Sequence, residues 1–292
     1  MSGPTETFLA ESVRMAVPYM AAGIGAVLTE RAGVVNIGLE GALAVSGLAA
    51  AVGAIATGSG VGGLLAAVTA GAAWCLLHGW LVERRRVDAM VSGIALTMAS
   101  YGLGRVTLRT LYDSASNSPR VPGLEGSTSG SALVRVLTEP TLLITAAALA
   151  ALVVVLARTR LGLRLRASGD GPDAARAAGV DVTRVRLIAS ALSGLACGLG
   201  GAHLTFDQHR FDAGMSGGRG FLALAAAILG RQRPGPTLVA CLAFAALEAG
   251  QIALQDVLRL PPELLRMSPF VLTLVLLAIL GRRSRGAVTT SL

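Results

Sequence analysis

Nine stretches of this chain are apolar over a length that reaches or approaches a bilayer crossing, and this limits its fold more than any motif. A membrane-spanning helix needs about 20 apolar residues. The candidate spans are residues 12–28, 42–58, 61–82, 89–108, 138–157, 187–206, 219–230, 237–255 and 268–281. Those at 219–230 and 268–281 are short, and the first reads equally as a half-span or an interfacial helix. The expectation is an all-α, polytopic membrane protein with about 8–10 transmembrane helices, forming a single transmembrane domain over residues 1–292. Composition agrees. The chain is 53% apolar before its 37 glycines are counted and only 14% charged, whereas soluble domains carry about 25% charged residues. So few charges cannot cover a water-soluble globule of this size, which excludes disorder, a coiled coil and an ordinary cytosolic enzyme.

All 25 basic residues are arginines and the chain has no lysine. A catalytic Schiff-base lysine and a phosphate-gripping P-loop lysine are therefore ruled out. The net charge of +8 would suggest nucleic acid if the arginines formed a patch. They stand instead in short clusters between apolar runs, the way membrane proteins mark their cytoplasmic side. With alternating spans and Arg282, Arg283 and Arg285 inside, 16 arginines fall inside and 9 on or near the other side. That bias puts the N-terminus outside. Cys75, Cys197 and Cys241 lie in apolar runs without C-x-x-C spacing, so neither disulfides nor zinc is expected. The N-terminus lacks a basic region before its first apolar run, which argues against a cleaved signal peptide. Gly194 and Gly198 have the spacing that lets two membrane helices approach closely.

Residues 113–137 are rich in Ser, Gly and Pro and read as an external loop. Residues 158–186 form a different kind of loop, with seven arginines among 29 residues, and are assigned to the cytoplasm. A short helix inside it has both ends marked. Gly171 or Asp170 can cap it, Pro172 suits the first position and Asp173 complements the positive dipole end. Ala174, Ala175 and Arg176 continue it, and Gly179 can adopt the left-handed stop. Two turns alone in water are not stable, so this helix is expected to dock against something or to rest on the membrane surface.

The series Asp173-Ala174-Ala175 followed by Gly179 resembles the EAA-xxx-G signature of the coupling loop in ABC importer permeases. Asp replaces Glu, Ile188 falls one residue short of the usual Ile, and the Leu-Pro ending is missing. The stretches TERAGVVNIGLEG (29–41), VSGIALT (91–97), GLRLRASG (162–169), AARAAGVDVTRVR (174–186), ALSGLACGLGGAHL (191–204) and GGRGFLALAAAILGR (217–231) follow in order. Together they resemble the nucleoside and simple-sugar branch of the branched-chain amino acid/ribose permease superfamily, over about residues 20 to 280. Thr97 stands where that pattern has Asn, which implies a different ligand choice if the side chain reads substrate. The resemblance implies a transport subunit without a catalytic site or cofactor, multi-pass in the bacterial cytoplasmic (inner) membrane. It implies three partners: an ABC ATPase with two nucleotide-binding halves, a second homologous permease forming a heterodimer, and an extracytoplasmic substrate-binding lipoprotein. Asp170, Pro172, Asp173, Ala174, Ala175, Arg176 and Gly179 would couple to the ATPase.

Several polar residues sit where lipid should be. Glu248 lies well inside the 237–255 span, with Gln251 and Gln255 on the same helical face. Such groups are costly in a bilayer unless they face a cavity or each other. They read either as a translocation path or as an interhelical clamp, and the family's acidic residue before such a Gln favours the path. Asn36 and Glu40, one helical turn apart, fall in a polar stretch (29–41) that is either a cytoplasmic turn or a broken helix beside the path. With Thr97, they are candidate substrate contacts. His203, Asp207 and His209 suggest a metal cluster, but His203 and Asp207 at i,i+4 have no third close ligand of suitable spacing, so a local His203–Asp207 pair is expected. Arg120, Arg210 and Arg219, placed on the outer side, would dock a binding protein or anchor the headgroups.

Three functions compete. The first is an ABC importer permease driven by a separate ATPase, since the chain has no G-x-x-x-x-G-K-[ST]. The second is a stand-alone secondary transporter, suggested by interrupted polar segments near 29–41 and 207–220. The third is an intramembrane serine protease using Ser193 and His203. If one helix carries both, they stand about 15 Å apart and share no proton.

Overall fold

The computed structural model describes residues 3–114, 116–124 and 131–258. Eleven helices are found among them. These are α1 (Pro4–Arg31), α2 (Leu39–Thr57), α3 (Gly60–Arg85), α4 (Ala89–Tyr112), α5 (Ala132–Leu137), α6 (Pro140–Arg158), α7 (Arg160–Asp170), α8 (Pro172–Ala177), α9 (Val182–Asp207), α10 (Arg219–Leu229) and α11 (Pro234–Leu258). The chain is thus an all-α membrane protein. The expected span at 268–281 and the terminal Arg282, Arg283 and Arg285 lie outside the described residues.

Six described helices (α1, α2, α3, α6, α9 and α11) are long and apolar enough to cross a membrane. Helix α4 has the length, 24 residues, but Ser92, Thr97, Ser100, Tyr101 and Arg105 dilute its apolarity. The most apolar windows of α1, α2 and α9 are 78%, 72% and 72% buried, those of α3, α6 and α11 only 28%, 22% and 33%. The first three therefore make the centre, and the others face outward. Helix α10 is a half-span of 11 residues, about 16 Å long at 1.5 Å per residue.

The two ends of the bundle are identified by their contacts. At one end, Arg31 Nε donates to Gln232 O and Arg186 bonds to Ala32 O, Glu83 and Ser168 O. Here gather the C-termini of α1 and α3, the N-terminus of α9 and the α10–α11 turn. At the other end Arg14 pairs with Asp207, and residues 116–121 exchange backbone hydrogen bonds with 209–213. This polarity fits the alternation expected from the arginines. The arginine-rich end holds Arg31, Arg84 to Arg86, the 158–186 loop and Arg231.

Close approach of small residues holds the centre together. Gly194 and Gly198 of α9 lie on Gly71 and Val68 of α3, where a Cβ on Gly198 would stand 2.6 Å from Val68 Cα. Gly201 lies in the same way on Ser46 and Leu43 of α2. In lipid, which competes for apolar surface, such close packing is what binds helices. The 158–186 loop contains a helix that sequence patterning did not separate, α7. Its last residue is Asp170, so α8 is capped by Gly171, with no side-chain bond from Asp170.

Gly198→Val is expected to overpack the α3–α9 contact and destabilise the subunit by about 1–3 kcal/mol. Thermal unfolding of the detergent-solubilised subunit measures this, with Ala191→Val on the half-buried flank of α9 as the near-neutral control.

Candidate functional site

Two helices begin inside the bundle rather than at its surface, and both begin at the same place. After α1 ends, Gly33 takes φ +81° and residues 32–38 run as a connector. Asn36 is fully buried there, with its Oδ1 accepting from Gly38 N at 3.0 Å and its Nδ2 directed at Cys75 Sγ. Helix α2 then opens with Glu40 in its first turn. Asn36 therefore precedes the helix and does not share a helical face with Glu40. The second break follows α9. Residues 208–218 turn back from the outer end into the bundle, with Met215 reaching Thr205 of α9, and α10 starts at Arg219.

Glu40 joins the two breaks. It is completely buried, and one carboxyl oxygen accepts from Gly218 N (2.8 Å) and from the Tyr101 hydroxyl (3.0 Å). The other accepts from Gly220 N at 2.7 Å. The first turn of a helix leaves its N–H groups without intrahelical acceptors, and its dipole favours a carboxylate there. Glu40 fills that role for α10 while standing in the first turn of α2. The glycines make it possible. Gly218 has φ +84°, and any Cβ on Gly220 would collide with the Glu40 backbone.

Arg219, between those glycines, points the other way. Its Nη2 donates to Glu248 Oε1 at 2.5 Å, its Nε to Oε2 at 3.3 Å and its Nη1 to Met215 O at 2.7 Å. Tyr19 of α1 donates its hydroxyl to Glu248 Oε2 at 2.9 Å. Residues 218–220 are thus held by backbone to Glu40 and by side chain to Glu248. The Arg219 and Glu248 side chains keep 13% and 20% exposure, so the ion pair is mostly buried. Gln251 is half-buried one turn further along α11, and the Gln255 side chain lies outside the described set. Thr97 is buried on α4, donating to Gly93 O, with its backbone against Gly41. Tyr101 follows one turn later on that face.

Asn36, Glu40 and Thr97 are therefore brought to one junction, and Glu248 joins it through Arg219. Sequence reasoning missed Tyr19, Tyr101 and the inward direction of Arg219. The last is a correction: Arg219 had been placed on the outer side because a full crossing at 219–230 would begin there, whereas α10 begins at depth. The G-G-R-G run was the available signal, since side-chain-free residues flanking an arginine let backbone N–H groups reach an acceptor. The local His203–Asp207 pair is also corrected. His203 Nε2 lies 3.1 Å from Arg14 O and its Nδ1 3.8 Å from Glu139, while Asp207 pairs with Arg14. Ser193 and His203 stand on one continuous helix, so no serine–histidine dyad is assembled.

At the arginine-rich end, α8 projects between α7 and α9. Pro172 occupies its first turn, Asp173 and Arg176 pair at 2.7 Å on its exposed surface, and Ala175 is its buried contact. Ala174 is exposed beside them, and Gly179 ends the turn at φ +81°. A cleft of about 410 Å³, lined by Leu161, Arg164, Val180, Arg184 and Ile188 among others, lies beside it.

The junction yields a graded expectation. Tyr101→Phe removes one of three donors and should cost about 0.5–1.5 kcal/mol. Glu40→Ala, which leaves the buried N–H groups of Gly218 and Gly220 unsatisfied, should cost at least about 2 kcal/mol. Thermal unfolding of the purified subunit ranks the two, and equal effects would contradict the cap.

Comparison with known proteins agrees with this architecture. The family model for the branched-chain amino acid transport system / permease component matches residues 8–280. The nucleoside ABC transporter permease protein NupC of Lactococcus lactis subsp. cremoris is 29% identical over 94% of this chain and 92% of its own. The guanosine ABC transporter permease protein NupQ of Bacillus subtilis is 31% identical over 91% and 90%. The glucose ABC transporter permease protein TsgB13 of Haloferax volcanii is 31% identical over 92% and 76%. A solved structure described as an inward-facing, metal-chelate type ABC transporter shares the fold, with a TM-score of 0.51 and 16% identity over 96% of this chain and 87% of its own. The match over residues 8–280, with 31% identity to NupQ over 91% of this chain, places the chain in the branched-chain amino acid transport permease family, as the permease subunit of an ABC transporter.

Proposed function

We propose that this subunit imports nucleosides, or simple sugars, across the bacterial cytoplasmic membrane by alternating access powered by a separate ATPase. The observation that carries the reading is α8, a helix of six residues too short to be stable in isolation, bracketed at both ends and set at the arginine-rich end. The arginine bias makes that end cytoplasmic. Asp170, Pro172, Asp173, Ala174, Ala175, Arg176 and Gly179 form or flank the peg, and the cleft beside it offers room for a partner surface. We assign the motor to an ABC ATPase with two nucleotide-binding halves. A second homologous permease completes the membrane unit, and an extracytoplasmic binding lipoprotein delivers the solute.

The junction supports the substrate class. The mostly buried Arg219–Glu248 pair, Gln251 and the outward face of α10 would border a route at mid-depth, with Asn36, Glu40 and Thr97 supporting it from behind. The charged groups there are already matched internally, which suits a neutral solute bearing hydroxyl and amide-like edges. Broken helices meeting at mid-depth also occur in stand-alone secondary transporters. ATP-independent uptake by the purified subunit would favour that reading.

Two experiments follow. Replacing residues 174–177 with charged side chains should lower uptake per ATP hydrolysed by about tenfold or more, within the range of a lost coupling energy. Reconstituted complex measured for both quantities decides it, and retained ATP-driven uptake would defeat the coupling reading. Glu248→Ala should reduce uptake of uridine, adenosine or ribose while the complex still assembles. Loss of assembly would make Glu248 a clamp.

A further inference from the structure

The coupling helix touches the rest of the bundle sparingly. Ala175 is its one buried residue, and the chain then passes Gly179 to reach α9, whose N-cap Asp181 accepts from Arg184 N. Motion of α8 therefore reaches the bundle through α7, to which Gly171 joins it directly, and through the first turns of α9. One side chain there grips three other elements at once. Arg186 Nε donates to Ala32 O at the end of α1 (2.9 Å), Nη1 to Glu83 on α3 (2.9 Å), and Nη2 to Ser168 O on α7 (3.4 Å). The Arg186 and Glu83 side chains are only 17% and 8% exposed.

What Arg186 grips matters more than how many groups it grips. Ala32 is the first residue past α1, followed by Gly33 in the left-handed region, whose α-carbon faces the Arg186 guanidinium. Seven residues after Gly33, the same connector has led into α2 at Glu40, which holds the N-terminus of α10. The carbonyls of Ala32 and Ser168 are loose ends that no helix satisfies, and a guanidinium presents its donors in a fixed planar fork. A lysine ammonium has no such fork and cannot reach three divergent acceptors.

We propose that Arg186 is the positioning residue that fastens the coupling helix to the break between α1 and α2, so that a displacement of α8 and α9 is delivered to the Glu40 junction. This rests on the coupling reading of α8. The carbonyl grip on Ala32 transmits the movement, and the ion pair to Glu83 keeps the guanidinium aligned.

The test measures ATP hydrolysis and uptake of uridine, adenosine and ribose in the same vesicles, using the complex reconstituted with its ATPase and binding protein. Arg186→Lys keeps the charge, and Glu83→Gln keeps both carbonyl contacts. ATP consumed per solute imported is the readout, because a loss of folded complex lowers both rates and leaves their ratio unchanged. Arg186→Lys is expected to raise that ratio about tenfold and Glu83→Gln less than about threefold, a difference in coupling energy between sites. A wild-type ratio in Arg186→Lys overturns the proposal, as does an equal rise in both variants, which would make the ion pair the whole device. The variant with charged residues at 174–177 separates the two levels. If it uncouples while Arg186→Lys does not, the Arg186 proposal falls alone. If it too keeps the wild-type ratio, the coupling reading itself is lost.

Discussion

The architecture depends on one carboxyl group in a place without water. A backbone N–H in the hydrocarbon core that finds no acceptor costs several kcal/mol, so a helix cannot simply start at mid-membrane. Helix α10 does start there. Its 11 residues reach only about halfway across a hydrocarbon core of about 30 Å before ending near Arg31. Glu40 removes the penalty by accepting from Gly218 N and Gly220 N. Its own desolvation is offset by those donors, by Tyr101 and by the N-terminal dipoles of α2 and α10. Without it, the N–H groups of Gly218 and Gly220 would be buried with no acceptor.

The rest of the bundle follows from holding that junction. Arg219 cannot turn outward while its neighbours are bound to Glu40, so its charge is met from α11 by Glu248, and Tyr19 of α1 completes the pair. The dense glycine and alanine surface of α9 lets α2 and α3 approach closely, and Ala32, Val34, Asn36 and Gly38 of the connector are buried beside them. His78 supports that connector, with its two ring nitrogens near Ser92 and Val35 O. At the junction itself the carboxylates of Glu40 and Glu248 and the Arg219 guanidinium are all paired, which holds the start of α10 in place.

Local features were legible in the sequence, and long-range ones were not. Eight of the nine expected spans overlap described helices, because apolar length is a local property. Pro172 and Gly179 marked α8 with nearly its observed ends, because capping is decided within a turn. The polar stretches 29–41 and 207–220 were recognisable as interruptions. Their meeting was not, since Glu40 and Gly220 are 180 residues apart and nothing in either stretch encodes a partner. Helix α7 was hidden by its arginines, which resemble a loop when the apolar face is narrow. Arg219 was misplaced because counting spans assumes that helices begin at a membrane surface, and Glu40 is what breaks that assumption.

The pairing at the junction supports the cargo class proposed above. Two helix N-termini aimed at one point in a membrane would ordinarily hold an anion or the carboxylate of a ligand. Here an internal carboxyl occupies that position and the adjacent arginine is matched by Glu248. A zwitterionic amino acid crossing this point would find both of its natural counter-groups taken and would have to displace a buried pair, at a cost of several kcal/mol. A nucleoside or sugar needs no counter-charge. Its hydroxyls and ring edges would need only the exposed edge of the Arg219–Glu248 pair, with the pair left intact. The same internal neutralisation that lets α10 begin at mid-depth suits the uncharged cargo proposed for the subunit, within a family named for amino acid transport.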